Sequence, residues 1–264
     1  ATGIVIKYDN NRSDQDMNYV EIGYMVVEKD KTLSFYETPE CSFSTILQKM
    51  AFQQQISAWV QNDHYQSISD PERWKKTRTY LAPKKILLID RDGVINQKAT
   101  QGEYITNWDE FEWIIDTRNA MKLLAENGFQ FIVVSNQAGI ARGMFNLDDL
   151  ELIHSKMKDE LKRDGIKIID IYVCPHHWNE KCYCRKPNPG MLFQASQDHL
   201  LRLDKTLFIG DDPRDCQAAE SAGCNSIFIG KAAELKKLSK NEQPICHSLL
   251  LTDCIANIKG YYNQ

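Results

Sequence analysis

From Lys84 onward, short β-branched runs alternate with stretches of helical period, and that rhythm leaves few folds open. Lys85 to Ile89 is an apolar run flanked by charge and reads as a buried strand. Ile114 to Asn127 carries Ile114, Ile115, Met121, Leu124 and Ala125 at mostly helical spacing and stops at Gly128. Phe129 to Val134 is the next strand, Leu147 to Arg163 a helix stopped by Gly165, and Ile166 to Val173 the third strand. Gly190 to Leu201 is helical after Pro189, Thr206 to Ile209 extended, Arg214 to Ala222 helical, and Ser226 to Ile229 extended. Strands separated by helices at this spacing pair in parallel through crossovers, with both sheet faces covered. The expected fold class is therefore α/β, with ligands at the carboxyl ends of the strands.

The first eighty residues lack this rhythm. Ile4 to Tyr8 and Tyr19 to Glu28 read as strands, Ser44 to Gln55 as an amphipathic helix, and Asp70-Pro71-Glu72 as the start of another helix, with Asp70 the cap and Pro71 its first position. Pro83 marks a boundary, so residues 1–82 are expected to form a small α+β segment and 83–264 the α/β domain. A length of 264 residues with 42% hydrophobic content suits one to two domains.

Charge narrows the function. With 32 Lys+Arg against 36 Asp+Glu there is no basic excess for nucleic acid, and no such partner is expected. The longest apolar runs are four-residue pieces such as Ile86 to Ile89, far short of the roughly 20 residues a bilayer-spanning helix needs, so no membrane association is expected. No basic leader with an apolar stretch opens the sequence, and the 8 cysteines are not spread as a disulfide framework. Reduced thiols and a cytoplasmic location follow as expectations.

Four polar clusters fall at strand ends. Asp90-Arg91-Asp92-Gly93 follows the first strand, and Gly93 permits a turn that brings both acids to one cavity. One carboxylate then serves as nucleophile while the other moves protons. Ser135-Asn136 offers a hydroxyl and an amide to a phosphoryl group, although alone it is an ordinary loop cap. Arg185-Lys186-Pro187 presents two cations ahead of a helix, where a fixed cation offsets phosphoryl charge. Gly210-Asp211-Asp212-Pro213-Arg214-Asp215 brings acids to a helix start, as caps or, with Asp90 and Asp92, as an oxygen-rich site for Mg2+.

Cys174, His176, Cys182 and Cys184 supply three thiolates and an imidazole within one loop, a common structural Zn2+ set. His177 is an alternative nitrogen, and free thiols or a Cys182/Cys184 redox pair are the alternatives to metal. The loop leads into Arg185 and Lys186, so zinc would position these cations without entering the chemistry.

In chain order, Leu88-Ile89-Asp90-Arg91-Asp92-Gly93-Val94-Ile95-Asn96, Val134 to Gly143, Cys184-Arg185-Lys186-Pro187 and Gly210-Asp211 with Asp215 resemble the haloacid dehalogenase superfamily of phosphatases. The closer resemblance, over roughly Lys84 to Gly230, is to the D-glycero-D-manno-heptose 1,7-bisphosphate phosphatases, with histidinol-phosphate phosphatases as near relatives. It implies a Rossmann-like core and a phosphoaspartyl mechanism. Asp90 would attack phosphorus, Asp92 would protonate the leaving alcohol and then activate water, and Asp90, the Asp92 carbonyl and Asp211 would hold Mg2+. Ser135 and Lys186 would bind the phosphoryl group, and Asn136, Arg142 and Arg185 would contact substrate. Asp212 departs from the heptose pattern, which has Lys there, and leaves a second-phosphate contact at that position open. Between Asp92 and Ser135 there is no room for a separate cap domain, so loops should shape an open site for a small phosphorylated sugar.

Glu21 to Val26, the helix near Phe43 to Gln55, and Tyr65 to Arg73 resemble the carboxyl-terminal portion of a sugar-phosphate nucleotidyltransferase, with Ser67 where that family's metal-binding Asp is usual. The glycine-rich nucleotide-binding portion does not lie within this sequence, so no nucleotidyl transfer is expected of it; that missing amino-terminal part would be a partner in a longer bifunctional protein. The pairing favours the heptose over the histidinol substrate, because a bisphosphate that loses one phosphate leaves a 1-phosphate ready for activation. The five-residue gap between His176 and Cys182 resembles the histidinol branch instead. A nucleotidyltransferase fragment and a silent zinc-stapled interaction module are the readings from other classes. The retained Asp90/Asp92 pair argues against the silent one.

Overall fold

The computed structural model describes residues 2–11, 13–60, 65–100 and 102–263, which fall into two compact units, Ala1–Thr77 and Arg78–Gln264. In the first, β1 (Thr2–Ile4), α1 (Lys29–Leu33), α2 (Phe43–Phe52) and β2 (Ser57–Trp59) precede α3 (Pro71–Tyr80), within which the division falls. β1 and β2 pair antiparallel, with Ile4 opposite Ser57. Ser42 caps α2 by accepting the Thr45 N–H, and Ile46, Leu47, Met50 and Ala51 form its buried face. The helix ends at Phe52, earlier than the amphipathic pattern suggests, because Gln54 turns to a positive φ of 56°. Asp70 accepts the Arg73 N–H at 2.9 Å, the expected cap.

Two expectations for this unit are corrected. Only Ile4 of the Ile4 to Tyr8 stretch lies in a strand, and Tyr19 to Glu28 forms none. Tyr19 to Val27 is exposed throughout, and among the described residues no neighbouring strand completes its backbone hydrogen bonds. An apolar, β-branched run needs such a partner as well as propensity.

The second unit is a parallel sheet of six strands: β3 (Ile86–Ile89), β4 (Gln130–Asn136), β5 (Ile168–Cys174), β6 (Leu207–Gly210), β7 (Asn225–Ile229) and β8 (Cys246–Ser248). Their spatial order, β5-β4-β3-β6-β7-β8, is that of a doubly wound Rossmann-like sheet. Side chains alternate between two cores. Leu87, Ile89, Phe131, Val133, Leu207 and Ile209 pack on one face against α4 (Ile115–Ala125), α5 (Leu147–Arg163) and α8 (Ile255–Tyr262). Ile86, Leu88, Ile132, Val134 and Phe208 pack on the other against α6 (Gly190–His199) and α7 (Pro213–Ser221). Burial on both faces explains why these strands read as continuous apolar runs instead of alternating ones. Between Asp92 and Ser135 the described residues make one short 3-10 helix (Trp108–Glu110), α4 and most of β4, all within this unit.

The pattern in the sequence ends at Ile229, but the fold continues. β8 extends the sheet beside β7, and α8 buries Ile258 against the first core. Cys246-His247-Ser248 is a three-residue, half-exposed edge strand with no apolar run to announce it. No helix among the described residues is long and apolar enough to cross a membrane.

Candidate functional site

The strand order reverses between β3 and β6, and the crevice beyond their carboxyl ends is where a doubly wound sheet binds its ligand. Asp90 and Asp211 each follow one of these strands directly. The Asp90 N–H still donates to Ile209 O at 2.8 Å, so the ladder carries the nucleophile candidate to the rim of the sheet. Gly93 then turns with a φ of 93°, and any Cβ there would collide with the Asp211 carboxylate and the Lys98 side chain. The two loops approach as closely as they do because this residue has no side chain.

Lys186 is 2% exposed: its ammonium lies 2.9 Å from Asp90 Oδ2 and 2.8 Å from Asp215 Oδ1, and donates to Val134 O at 2.9 Å. Asp90 Oδ1 accepts the Arg91 N–H at 2.7 Å, which fixes the carboxylate. Asp215 Oδ2 accepts the N–H groups of Asp211 (3.1 Å) and Asp212 (3.0 Å), tying the β6–α7 turn to the same lysine. The Asn136 amide donates to Lys186 O and accepts its N–H, both at 3.1 Å, and so holds the lysine backbone.

Asp90, Asp92, Lys98, Ser135, Asn136, Lys186, Asp212, Arg214 and Asp215 line one cavity. Ser135 is buried and its Oγ accepts from Gln137 Nε2 at 2.9 Å. Asp92 is docked on a different set of partners from Asp90: the Arg91 guanidinium, Asn96 Nδ2 at 2.9 Å and Gln137 Nε2 at 2.7 Å. Asp212 caps α7 and receives the Arg214 guanidinium fork at 2.8 Å on each oxygen. Arg142 lies outside the cavity lining, its guanidinium 5.5 Å from the Tyr104 ring and 5.7 Å from that of Trp178, donating to Gly102 O. Arg185 has a buried Nη1 without a hydrogen-bond partner among the described residues.

The acids suit a divalent cation. Oxygens of Asp90, Asp211 and Asp215 lie within 4.8 Å of one another, and Asp211 Oδ1 is buried with no hydrogen-bond partner among the described residues, an orphan that a hard cation would satisfy. Asp211 Oδ2 pairs with Lys98 at 2.5 Å. Burial pushes the Asp211 carboxyl up to about 7 despite Lys98, and burial also raises Asp90 against the pull of Lys186. Asp92 is drawn below the ordinary carboxylate value, since burial, which would raise it, is outweighed by Arg91 and the amide donors.

These shifts fix a sign. A carboxyl whose folded pKa exceeds its unfolded value of 3.8 contributes stability that is complete below that value and lost as pH rises through the folded value. Metal-free protein should therefore lose this stability between about pH 4 and 7, and Mg2+ should restore it increasingly toward pH 7. His154, lowered to about 3 by burial and then Arg91, acts oppositely over much of the same interval. The diagnostic is thus the difference between melting temperatures with Mg2+ added and with Mg2+ omitted, without chelator in either; a difference independent of pH from 4 to 8 would contradict the assignment.

Cys174, His176, Cys182 and Cys184 come together at the end of β5 and in the loop after it, with candidate ligand atoms all within 4.8 Å. Cys182 Sγ is 3.5 Å from the sulfurs of Cys174 and Cys184, and His176 Nδ1 is 3.1 Å from Cys184 Sγ. These separations are a few tenths of an ångström shorter than the roughly 3.5–3.8 Å edges of a tetrahedral site with Zn–S of about 2.3 Å, so the four side chains would open slightly to hold an ion. Burial pushes the Cys174 thiol up to about 12, a penalty that a bound cation reverses. His177 stands apart, tilted against the Trp178 ring at 3.9 Å between centroids and accepting the Asn179 N–H.

Sequence reasoning left Lys98, Gln137, Arg91, His154 and Arg214 without roles. Asp215, read from sequence as a cap or as part of the oxygen-rich site, forms the capping box with Asp212 and also meets Lys186. Lys98 and His154 reach the site through the fold, with no local motif around them.

Comparison with known proteins adds the family context. Residues 183–251 match a family model described as Hydrolase_like, "HAD-hyrolase-like". The chain is 34% identical over 154 residues to the D-glycero-alpha-D-manno-heptose-1,7-bisphosphate 7-phosphatase of Photorhabdus laumondii, covering 56% of this chain and 82% of that protein. It is 33% identical over 175 residues to the D-glycero-beta-D-manno-heptose-1,7-bisphosphate 7-phosphatase of Pseudomonas aeruginosa, covering 66% and 96%. Among solved structures, the D,D-heptose 1,7-bisphosphate phosphatase of B. bronchiseptica, complexed with magnesium and phosphate, superimposes with a TM-score of 0.60 at 29% identity, over 66% of this chain and 98% of that one.

Proposed function

This chain belongs to the family of D-glycero-D-manno-heptose-1,7-bisphosphate 7-phosphatases, and from that membership we propose that it removes the 7-phosphate of the heptose bisphosphate by way of a phosphoaspartyl intermediate on Asp90. The observation that carries the reading is the buried Lys186 shared by Asp90 and Asp215, beside an Asp211 oxygen that has no hydrogen-bond partner among the described residues. A carboxylate approaching a phosphate dianion meets charge repulsion, and a buried, immobile cation opposes it without reorganising.

Asp90 attacks phosphorus while Lys186 and Ser135 hold the equatorial oxygens. The bond to the leaving oxygen breaks, and Asp92, which must enter this step protonated although the free site holds it below the ordinary carboxylate value, gives that oxygen a proton. Asp92 then takes a proton from the water that attacks the phosphoaspartate, freeing Asp90. Mg2+, held by Asp90, Asp211 and the Asp92 carbonyl, would supply further neutralisation of the phosphoryl charge. Arg214 and Lys98 place positive charge on the cavity wall, and Arg185 and Arg142 are the candidates for contact with the rest of the sugar phosphate. The relatives are named for both alpha and beta anomers, so the anomer is left to experiment.

We assign Zn2+ to the Cys174, His176, Cys182 and Cys184 loop, in a reducing compartment such as the cytoplasm that keeps the thiols available. The ion would hold the segment that leads to Arg185 and Lys186. Stripping zinc should lower the melting temperature and, indirectly, turnover; metal-free protein with unchanged stability and rate would contradict this. For residues 1–82 we keep the nucleotidyltransferase-like reading, supported by the capped helix at Asp70-Pro71 and the Tyr65 to Arg73 motif.

The test is phosphate release from D-glycero-D-manno-heptose 1,7-bisphosphate, with histidinol phosphate alongside, in Mg2+ and in EDTA. Metal-dependent release of one phosphate from the heptose supports the reading. Release from histidinol phosphate alone would keep the chemistry and replace the substrate.

A further inference from the structure

Arg91 is the largest fully buried side chain among the described residues, 0% exposed, and the proposed reaction gives it nothing to do. Its Nε and Nη2 donate to Asp92, with Nη2 2.8 Å from each carboxylate oxygen. Its Nη1 lies 3.2 Å from Nε2 of His154. A guanidinium has only donors, so this contact requires a bare lone pair on His154 Nε2 and places the ring proton on Nδ1. His154 stands on α5 among Leu150, Ile153 and Met157, a buried face that keeps the ring from drifting. It does not line the cavity.

A buried cation is costly, and filling space alone would be better served by apolar residues. What the arrangement provides is direction. The Asp92 carboxylate meets Arg91 on one side, Asn96 on a second and Gln137 on a third, and Gln137 also donates to Ser135. Arg91 is the one of these three whose own orientation is set by a residue from a distant helix.

We propose that His154 is a positioning residue for proton transfer: by accepting from Arg91 Nη1 it fixes the rotation of the guanidinium, and the guanidinium in turn aims the Asp92 carboxylate at the leaving oxygen and then at water. This rests on the phosphoaspartyl reading of Asp90 and Asp92. His154 touches neither substrate nor metal, so its removal acts on kcat and leaves KM nearly unchanged.

The experiment uses His154→Leu, which deletes the acceptor, and His154→Gln, whose amide oxygen can replace it. On the heptose bisphosphate His154→Leu should lose about tenfold or more in kcat, and His154→Gln should recover most of it. On 4-nitrophenyl phosphate the leaving phenolate needs no proton, so phosphorylation of Asp90 stays fast in His154→Leu while hydrolysis, which needs Asp92 as base, slows. A burst of nitrophenolate approaching about one per active site is expected. Wild-type kcat in folded His154→Leu, or a loss with no burst and no recovery in His154→Gln, would overturn this role alone. The ring 15N resonances of His154 in the wild-type protein give a check that does not depend on turnover or on the variants folding: protonated Nδ1 and bare Nε2 at neutral pH support the strut, and a protonated Nε2 overturns it. Absence of phosphate release by the wild type would overturn the proposed function and this role together.

Discussion

Asp90→Asn is expected to abolish phosphate release while the protein stays folded. The change removes one nucleophilic oxygen and little volume, and Lys186 keeps Asp215 and Val134 O as partners. Loss of a nucleophile costs on the order of 10⁴ to 10⁶-fold in kcat in enzymes that use one covalently. The variant should therefore fall to the detection limit in a phosphate-release assay and keep its circular dichroism spectrum and cooperative melt. It should also fail to give any burst with 4-nitrophenyl phosphate, since no phosphoaspartate can form. Retention of even about 1% of the wild-type rate would remove Asp90 as the attacking group.

Lys186→Met strikes stability and chemistry at once. Methionine fills the same channel, but it leaves Asp90 and Asp215 facing each other in a buried site with no cation between them. Removing one partner of a buried ion pair costs about 3–5 kcal/mol, and for a domain of this size that lowers Tm by roughly 10 °C. Activity should be lost as well, because the phosphoryl charge meets an acidic wall. The double variant Lys186→Met, Asp215→Leu separates the two effects: it should regain part of the stability and none of the activity. A single variant as stable as the wild type would mean that Lys186 is not the charge that balances these acids.

How far the sequence foretold this site depends on where each residue stands. Asp90, Ser135 and Asp211 were legible because each sits at the end of a buried, continuously apolar strand, and the doubly wound order makes those ends converge. The helix Leu147–Arg163 was legible to the residue, since Asn146 and Asp149 form its capping box and Gly165 follows its end. The zinc-type cluster was legible because all four side chains lie close together in sequence, from the end of β5 into the loop after it. What stayed hidden was whatever depends on tertiary approach. His154 meets Arg91 across 63 positions of sequence, and Asn136, expected from sequence to contact substrate and present in the cavity lining, also clasps the backbone of Lys186. The first unit was misread for the complementary reason: Tyr19 to Glu28 has the composition of a strand, and the described residues hold no strand for it to pair with.

β3 and β6 are hydrogen-bonded neighbours, with Leu87 opposite Leu207, yet in the chain β4, β5 and three helices lie between them. During synthesis of this unit the proposed nucleophile, Asp90, emerges early, followed by two strands that can dock beside it on one flank. The opposite flank, with Asp211 and Asp215, is made last, after about two-thirds of the unit has left the ribosome, and closing so long a loop is slow relative to local pairing. A chain halted or cut before β6 therefore holds half a sheet with Asp90 on an open edge and no cation site beside it. Catalysis in this molecule is a property of the completed topology, acquired late, so that unfinished chains carry the motif without the means to consume phosphorylated sugar.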